Sequence, residues 1–407
     1  MIRFFKYIFV LIVIYLYVHN PLFAVVGGMG SIKFLYLLVI YVSIFSNTFF
    51  RILRLFKKEI LLFFVIFLYT IFRSLLGGDF TICYTYLIFF IEVTIVPLSI
   101  LVLLYNCGVD NDDSLIRILL VLGAVGGIIS TVSMAIPSVN DYIRYSLTVL
   151  QDDTLDFWLY RGFGLSDSLT GFYGFTQGII LALGVIFLKD NKWFVFVIPF
   201  VFLSILFNAR TGIIIFAFIL LTYLLINRSV RTAFYLAIGA VVLFLGYQFA
   251  MEEGIISNES ISFAQEFFQE AADVYQSRDM SSSGTFFTLF GRMMVWPDNF
   301  MDWIIGRGYS IFGLHVNNSD IGFIIHLNYG GLMFSVLLLI LMLSLTKRMF
   351  KYEVPLFFIL AFWIVYLIAN FKANYLNNTG TFRFMMLMYY MFIYNRINNK
   401  QISNVRI

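Results

Sequence analysis

The sequence predicts an all-α polytopic membrane protein. Three observations predict it: 61% of the 407 residues are hydrophobic, only 12% are charged, and apolar runs recur along the whole length. Mean hydropathy is +0.91. Soluble domains carry roughly twice that charge fraction. A run of about 20 apolar residues crosses a hydrocarbon core of about 30 Å, and a helix satisfies its own backbone there. Such a composition excludes a soluble globule, makes membrane lipid the surrounding partner and leaves no expectation of nucleic-acid binding.

Twelve spans are expected, at 4–26, 32–50, 60–77, 82–105, 114–136, 170–188, 192–208, 212–227, 232–250, 320–345, 355–371 and 382–395, within one integral membrane domain over 1–407. The first apolar run follows Arg3 and Lys6 and is too long for a cleaved leader, so it reads as a span rather than a signal peptide. Basic connections alternate with connections that mostly lack Lys and Arg. The basic set is Arg3 and Lys6, then Arg51, Arg54, Lys57 and Lys58, then Lys189 and Lys192, then Arg228 and Arg231, then Lys347, Arg348 and Lys351, and the tail with Arg396, Lys400 and Arg406. By the positive-inside rule these face the cytoplasm, with both termini inside. The acidic connection 107–113 fits this pattern poorly. Cys83 and Cys107 fall at opposite ends of the fourth span, where they would not form a disulfide, and no Cys/His cluster suggests a metal.

Two long segments then fall outside, 137–169 and 251–319. In the second, Ile261, Ala264, Phe268, Ala271 and Tyr275 recur at helical spacing with Glu266, Glu270 and Asp273 between them, which predicts an amphipathic helix. A further helix is expected over 292–305, where Trp296 and Trp303 suit the headgroup region.

Arg161, Arg210, Arg292, Arg307 and Arg383 all come to the outer face, against the charge bias. Arg210 sits in the short Asn208-Ala209-Arg210-Thr211-Gly212 junction. Each arginine could simply snorkel into the headgroups. A guanidinium also presents a rigid fork to phosphate oxygens, so an anionic substrate is the second reading. Gly212 would serve a close approach or the turn itself. Gly291-Arg292 through Trp296, then Gly306-Arg307-Gly308, lead to Ser319-Asp320 and Asn328-Tyr329-Gly330-Gly331. Asp320 opens the tenth span, where aspartate commonly caps a helix.

That order resembles the O-antigen polymerase and ligase superfamily (Wzy type). The shared features are an Arg-Thr-Gly span junction, a large outer loop, Gly-Arg-x-x-x-Trp, a Gly-x-Gly and a polar-led span ending in glycine. The Arg161–Asp167 segment is similar to the arginine-and-glycine stretch such proteins carry before the sixth span. The resemblance implies an inverting, GT-C-type membrane glycosyltransferase of a bacterial cytoplasmic membrane. It implies a glycan donor linked through pyrophosphate to a polyprenol, and no cofactor or metal. Arg210 and Arg292 would bind the pyrophosphate, assisted by Arg161 or Arg307, with Arg383 as a further contact. A chain-length regulator protein is a candidate partner. Ligase-like members often begin the span after the large loop with His-Asn, whereas this chain has Ser319-Asp320. Asp320 is then the expected catalytic base and His315 the runner-up, with His326 structural. An aspartate is a weak base for a sugar hydroxyl unless burial raises its pKa.

Other charges lie inside the apolar runs. Arg73 in the third span and Glu92 in the fourth are expected to pair across the Gly77-Gly78-Asp79 turn or to line a lipid-phosphate cavity. Lys372 is expected to snorkel. Two other activities fit the span count. A ligase of the same superfamily would attach finished glycan, so its loss leaves no repeats attached, whereas loss of a polymerase leaves single repeats. A lipid-linked oligosaccharide flippase would suit a cationic cavity, but such transporters usually show related halves, and no internal repeat is visible here.

Overall fold

The structure, a computed structural model, describes residues 2–21, 23–26, 36–147 apart from 38, 42, 78 and 110, 164–166, 172–208, 211–228, 269, 272–273, 276, 288–312, 318–376 and 380–405. In chain order the helices are α1 (Ile2–His19), α2 (Asn47–Leu55), α3 (Lys57–Gly77), α4 (Thr81–Phe90), a π-helical turn (Ile91–Ile95), α5 (Val96–Asn106), α6 (Asp112–Ala135), α7 (Pro137–Ser146), α8 (Phe172–Ile186), α9 (Ile198–Leu206), α10 (Thr211–Asn227), α11 (Phe300–Ile305), α12 (Gly322–Lys351), α13 (Leu356–Lys372) and α14 (Gly380–Val405). No strand occurs among the described residues, only an isolated bridge between Phe23 and Leu147. Among the described residues, four helices are long and apolar enough to cross a membrane: Lys57–Gly77, Thr81–Asn106, Asp112–Ala135 and Gly322–Lys351. Shorter apolar helices include Phe172–Ile186, Thr211–Asn227 and Leu356–Lys372. This is a helical, membrane-embedded chain.

Three expected spans take a different form. The first, expected over 4–26, ends as α1 at His19, just before Pro21. The second was expected to run from 32 to 50, but Ser46 caps a new helix there: its side chain accepts from the Thr48 amide at 3.3 Å, and α2 starts. The seventh begins as a 3-10 turn over Lys192–Phe196 and becomes α-helical only at Ile198. Pro199 lies in that first turn, where its missing N–H costs nothing. The ninth expected span, 232–250, lies outside the described residues.

The chain forms two compact units. One comprises Met1–Leu37 with Val109–Gln269, the other Leu38–Gly108 with Glu270–Ile407. In the first, α6, α8, α9 and α10 pack on one another. α6 starts where Asn111 accepts from the Ser114 amide at 2.8 Å, with Asp112 and Asp113 complementing the positive end of the helix. α8 and α10 cross at Gly178 and Gly212. A Cβ on Gly178 would lie 2.3 Å from the Gly212 carbonyl oxygen, so the backbones touch. Small residues permit such approach where lipid supplies little hydrophobic drive. The close approach that Gly212 suggested in sequence is therefore to a neighbouring helix.

In the second unit, α3 packs on α4 and α12, α12 on α11 and α13, and α5 on α2 and α14. Buried charges of this unit find partners among the described residues. Glu59 on α3 receives Arg348 of α12 and, at 2.7 Å, the Tyr389 hydroxyl of α14. Arg348 also donates to the Leu55 carbonyl at 2.7 Å and lies 4.7 Å over the Phe56 ring.

Candidate functional site

The site is built around a break in α12. Gly331 has φ 66° and ψ −167°, a conformation that leaves the helix. Such a break inside an apolar span frees carbonyls that water cannot reach, and other protein groups must satisfy them. They do so here. The Arg307 amide donates to Asn328 O at 2.6 Å, the Gly308 amide to Tyr329 O at 3.0 Å, and the Tyr69 hydroxyl of α3 to Gly330 O at 2.7 Å. Three successive carbonyls are thus capped, two of them by the Gly306-Arg307-Gly308 segment, a strap lying across the break.

Glycine is required on both sides of that contact. Gly306 and Gly308 have φ of 76° and 78°. A Cβ on Gly306 would meet Tyr329 O at 2.4 Å, and one on Gly331 would meet Ile304 O at 2.3 Å. The strap is tied at its other edge to α3. Arg73 Nη2 donates to Gly306 O at 2.8 Å, and Asp79, beyond the end of α3, accepts from the Ser310 amide at 3.2 Å. Burial pushes the Asp79 carboxyl up, but hydrogen bonds from the Thr81 hydroxyl and from the Thr81 and Ser310 amides outweigh it and hold the group below the usual range.

The Arg73–Glu92 pair expected from sequence is not formed. Arg73 turns to the strap carbonyl, and Glu92 takes Arg383 of α14, with Nη1 and Oε2 2.8 Å apart. Both members of that pair are buried. Glu92 lies in the π-helical turn, whose extra residue sets its direction. Sequence separation favoured the nearer arginine; burial of α14 against α5 and the turn chose the distant one.

At the start of α12, Met293, Ile311, Ile321, Ile324 and Ile325 form an apolar cluster. Asp320 lies beside it, two residues before the helix, half-buried. Burial raises its carboxyl above the ordinary range, against the pull of the Lys372 and Arg292 charges. Asp320 does not cap the helix: the N-cap is Ile321, with no side-chain bond. Arg292 ends a π-helical turn over Thr288–Arg292 and is exposed. His326 is buried within α12 with Nε2 2.8 Å from Asn374 Oδ1, a structural setting.

The helix expected over 292–305 is only α11, Phe300–Ile305. Pro297 precedes it without an amide hydrogen, and Asn299 starts it by accepting from the Asp302 amide at 2.9 Å. Arg307 reaches back over this turn, with Nη2 2.7 Å from Asp298 Oδ2 and Nε 3.5 Å from Asp302 Oδ2. Trp296 and Trp303 stack with centroids 5.8 Å apart and planes 10° from parallel.

The structure therefore brings Arg292 and Asp320 into one electrostatic neighbourhood, ties Arg73 and the Arg307 backbone to the helix break, and places Arg383 with Glu92. Arg161, Arg210 and His315 lie outside the described residues, as does nearly all of the amphipathic helix expected over 261–275. Lys372, expected to snorkel, ends α13, and its charge acts on Asp320. Asp79 was seen only as part of a turn. No family model, curated protein or solved structure matches this chain.

Proposed function

We propose that this chain is a polysaccharide repeat-unit polymerase of the outer face of a bacterial cytoplasmic membrane. On this reading it crosses the membrane about twelve times, has both termini in the cytoplasm, and adopts a GT-C-type arrangement. It transfers a glycan from a polyprenyl-pyrophosphate carrier to a lipid-linked repeat unit. The observation that carries the reading is a half-buried Asp320 at the head of a broken apolar helix, within reach of the Lys372 and Arg292 charges. Cations and a raised carboxylate there are what an anionic leaving group and a hydroxyl nucleophile need. The motif order through Arg210, Gly306-Arg307-Gly308 and Asn328–Gly331 supports the same class.

In the proposed step the acceptor hydroxyl oxygen attacks the donor's anomeric carbon, and the bond from that carbon to the phosphate oxygen breaks with inversion. Asp320 takes the hydroxyl proton, and burial makes it a stronger base than an exposed aspartate. The bonding pair leaves with the pyrophosphate, whose growing charge is met by Arg292 and Arg210, with Arg161 as a further contact; Arg383, expected to join them, is instead buried against Glu92, and Arg307 is held by Asp298 and Asp302. Preorganised cations act where charge develops in the transition state.

The test is Arg210→Lys and Arg292→Lys, with polymer length read on a gel. Lysine keeps the charge but loses the fork, so short or absent polymer is expected. Full-length polymer in both variants would remove the phosphate role.

A further inference from the structure

The strongest unassigned feature is the surface of the 296–307 turn. Trp296 is 51% exposed and Phe300 76% exposed, and no residue of α11 is buried. The two indoles stack with an offset, since parallel rings 5.8 Å apart cannot lie directly over one another. They form a shelf rather than a closed pair. Polar groups border it: Asp298, Asn299, Asp302 and Arg307. Arg307 grips Asp298 and also donates to Trp296 O at 3.3 Å, while Asn299 Nδ2 holds Asp302 Oδ2 at 2.8 Å. The turn is thereby fixed around its rings.

We propose that this shelf is a saccharide-binding site that holds a pyranose unit of the glycan. The proposal rests on the polymerase reading and supplies its sugar contact. An indole face is electron-rich, and the axial C–H groups of a pyranose present a weakly positive face of similar size. The hydroxyls around the sugar's rim alternate as donors and acceptors, which matches carboxylates, an amide and a guanidinium held beside the rings. Two carboxylates against one guanidinium leave this rim net negative, and Asp298 has 83% of its side chain exposed. An acyl surface would strip water from these groups without replacing their bonds, and anionic headgroups would repel them. A neutral polyhydroxyl ligand satisfies both the rings and the rim.

The test uses the full chain in nanodiscs. The probe is the phosphate-free oligosaccharide released by mild acid from the source organism's own polyprenyl-linked glycan. Binding is followed by saturation-transfer NMR and calorimetry, with inorganic pyrophosphate as a second probe. Trp296→Ala and Trp303→Ala should each weaken oligosaccharide binding by about tenfold, near 1.4 kcal/mol, with pyrophosphate binding unchanged and Trp296→Phe retaining most of the affinity. Asp298→Asn, on an exposed side chain, removes the rim charge but keeps an oxygen for Arg307, and should also weaken the sugar alone. Oligosaccharide binding that is absent, or unchanged in all three variants, overturns the proposal. So does strong quenching of these two indoles by brominated lipid, judged against the Trp296→Phe/Trp303→Phe double variant, since that would make the shelf a lipid anchor. The polymerase reading fails separately: tryptophan-dependent sugar binding would persist while liposomes containing the protein and lipid-linked repeats make no polymer.

Discussion

Replacing Gly331 by alanine should lift the 306–308 strap from α12. Two costs add. The backbone at φ 66°, ψ −167° is open to glycine and strained for any L side chain, worth about 1–3 kcal/mol. The new methyl would also stand 2.3 Å from Ile304 O and 2.6 Å from the Gly306 amide nitrogen, both rigid backbone atoms. Relieving such overpacking costs about another 1–3 kcal/mol. The sum is about 2–6 kcal/mol, and a value of about 3 kcal/mol, in its lower half, corresponds to roughly a hundredfold shift in a local opening equilibrium. The readout is hydrogen exchange at the Arg307 and Gly308 amides, which bond Asn328 O and Tyr329 O. Both should exchange roughly a hundredfold faster, while amides of Met342 to Leu345 in the second arm of α12 keep their rates. Wild-type exchange at Arg307 and Gly308 would refute the reasoning. Equal acceleration in both arms would refute it too, because the damage would then be global.

The buried Glu92–Arg383 pair gives a second test. Glu92→Gln should destabilise the protein by about 3–5 kcal/mol by removing the buried negative charge that faces the guanidinium, and a Glu92→Leu/Arg383→Met double variant should recover much of that loss; denaturation in mild detergent with rising SDS measures both, and additive losses would contradict the pairing. For catalysis, a raised Asp320 pKa puts the acid limb of the rate profile above the usual aspartate range. Lys372 and Arg292 both lower that pKa, so Lys372→Met should move the limb to higher pH; a limb that stays in place, or moves down, would remove Asp320 as the titrating base.

The spans were legible where composition alone decides them. The expectation of 60–77 became Lys57–Gly77, 82–105 became Thr81–Asn106, and 355–371 became Leu356–Lys372. A long apolar run has one low-energy state in lipid, and polar residues mark its ends. Partner choice was not legible. Arg73 and Glu92 looked close because a short turn joins their helices, yet each bonds a segment more than 200 positions away, Gly306 and Arg383. The Gly306-Arg307-Gly308 turn could be recognised, but its role could not: Gly330-Gly331 marks a weak point in α12, yet no local signal says which distant segment caps the break. The short α11 was overextended because aromatic spacing outweighed Pro297 and Asn299, the two residues that set its start.

The π-helical turn at Ile91–Ile95 gives the Thr81–Asn106 span a phase as well as a length. One residue is about 100° of rotation along an α-helix, so the wide turn re-aims everything after it. Before the turn, Phe89 lies against Phe63 of α3; after it, the Ser99 carbonyl accepts from Ser43. The carbonyl of Val93, inside the turn, receives the Tyr390 hydroxyl at 3.0 Å. The two ends of one hydrophobic rod are thus addressed to different neighbours, as two halves of a key cut at different angles. Chemistry at positions 91–95 matters less to that addressing than their number: the fold counts residues there as a reading frame counts bases.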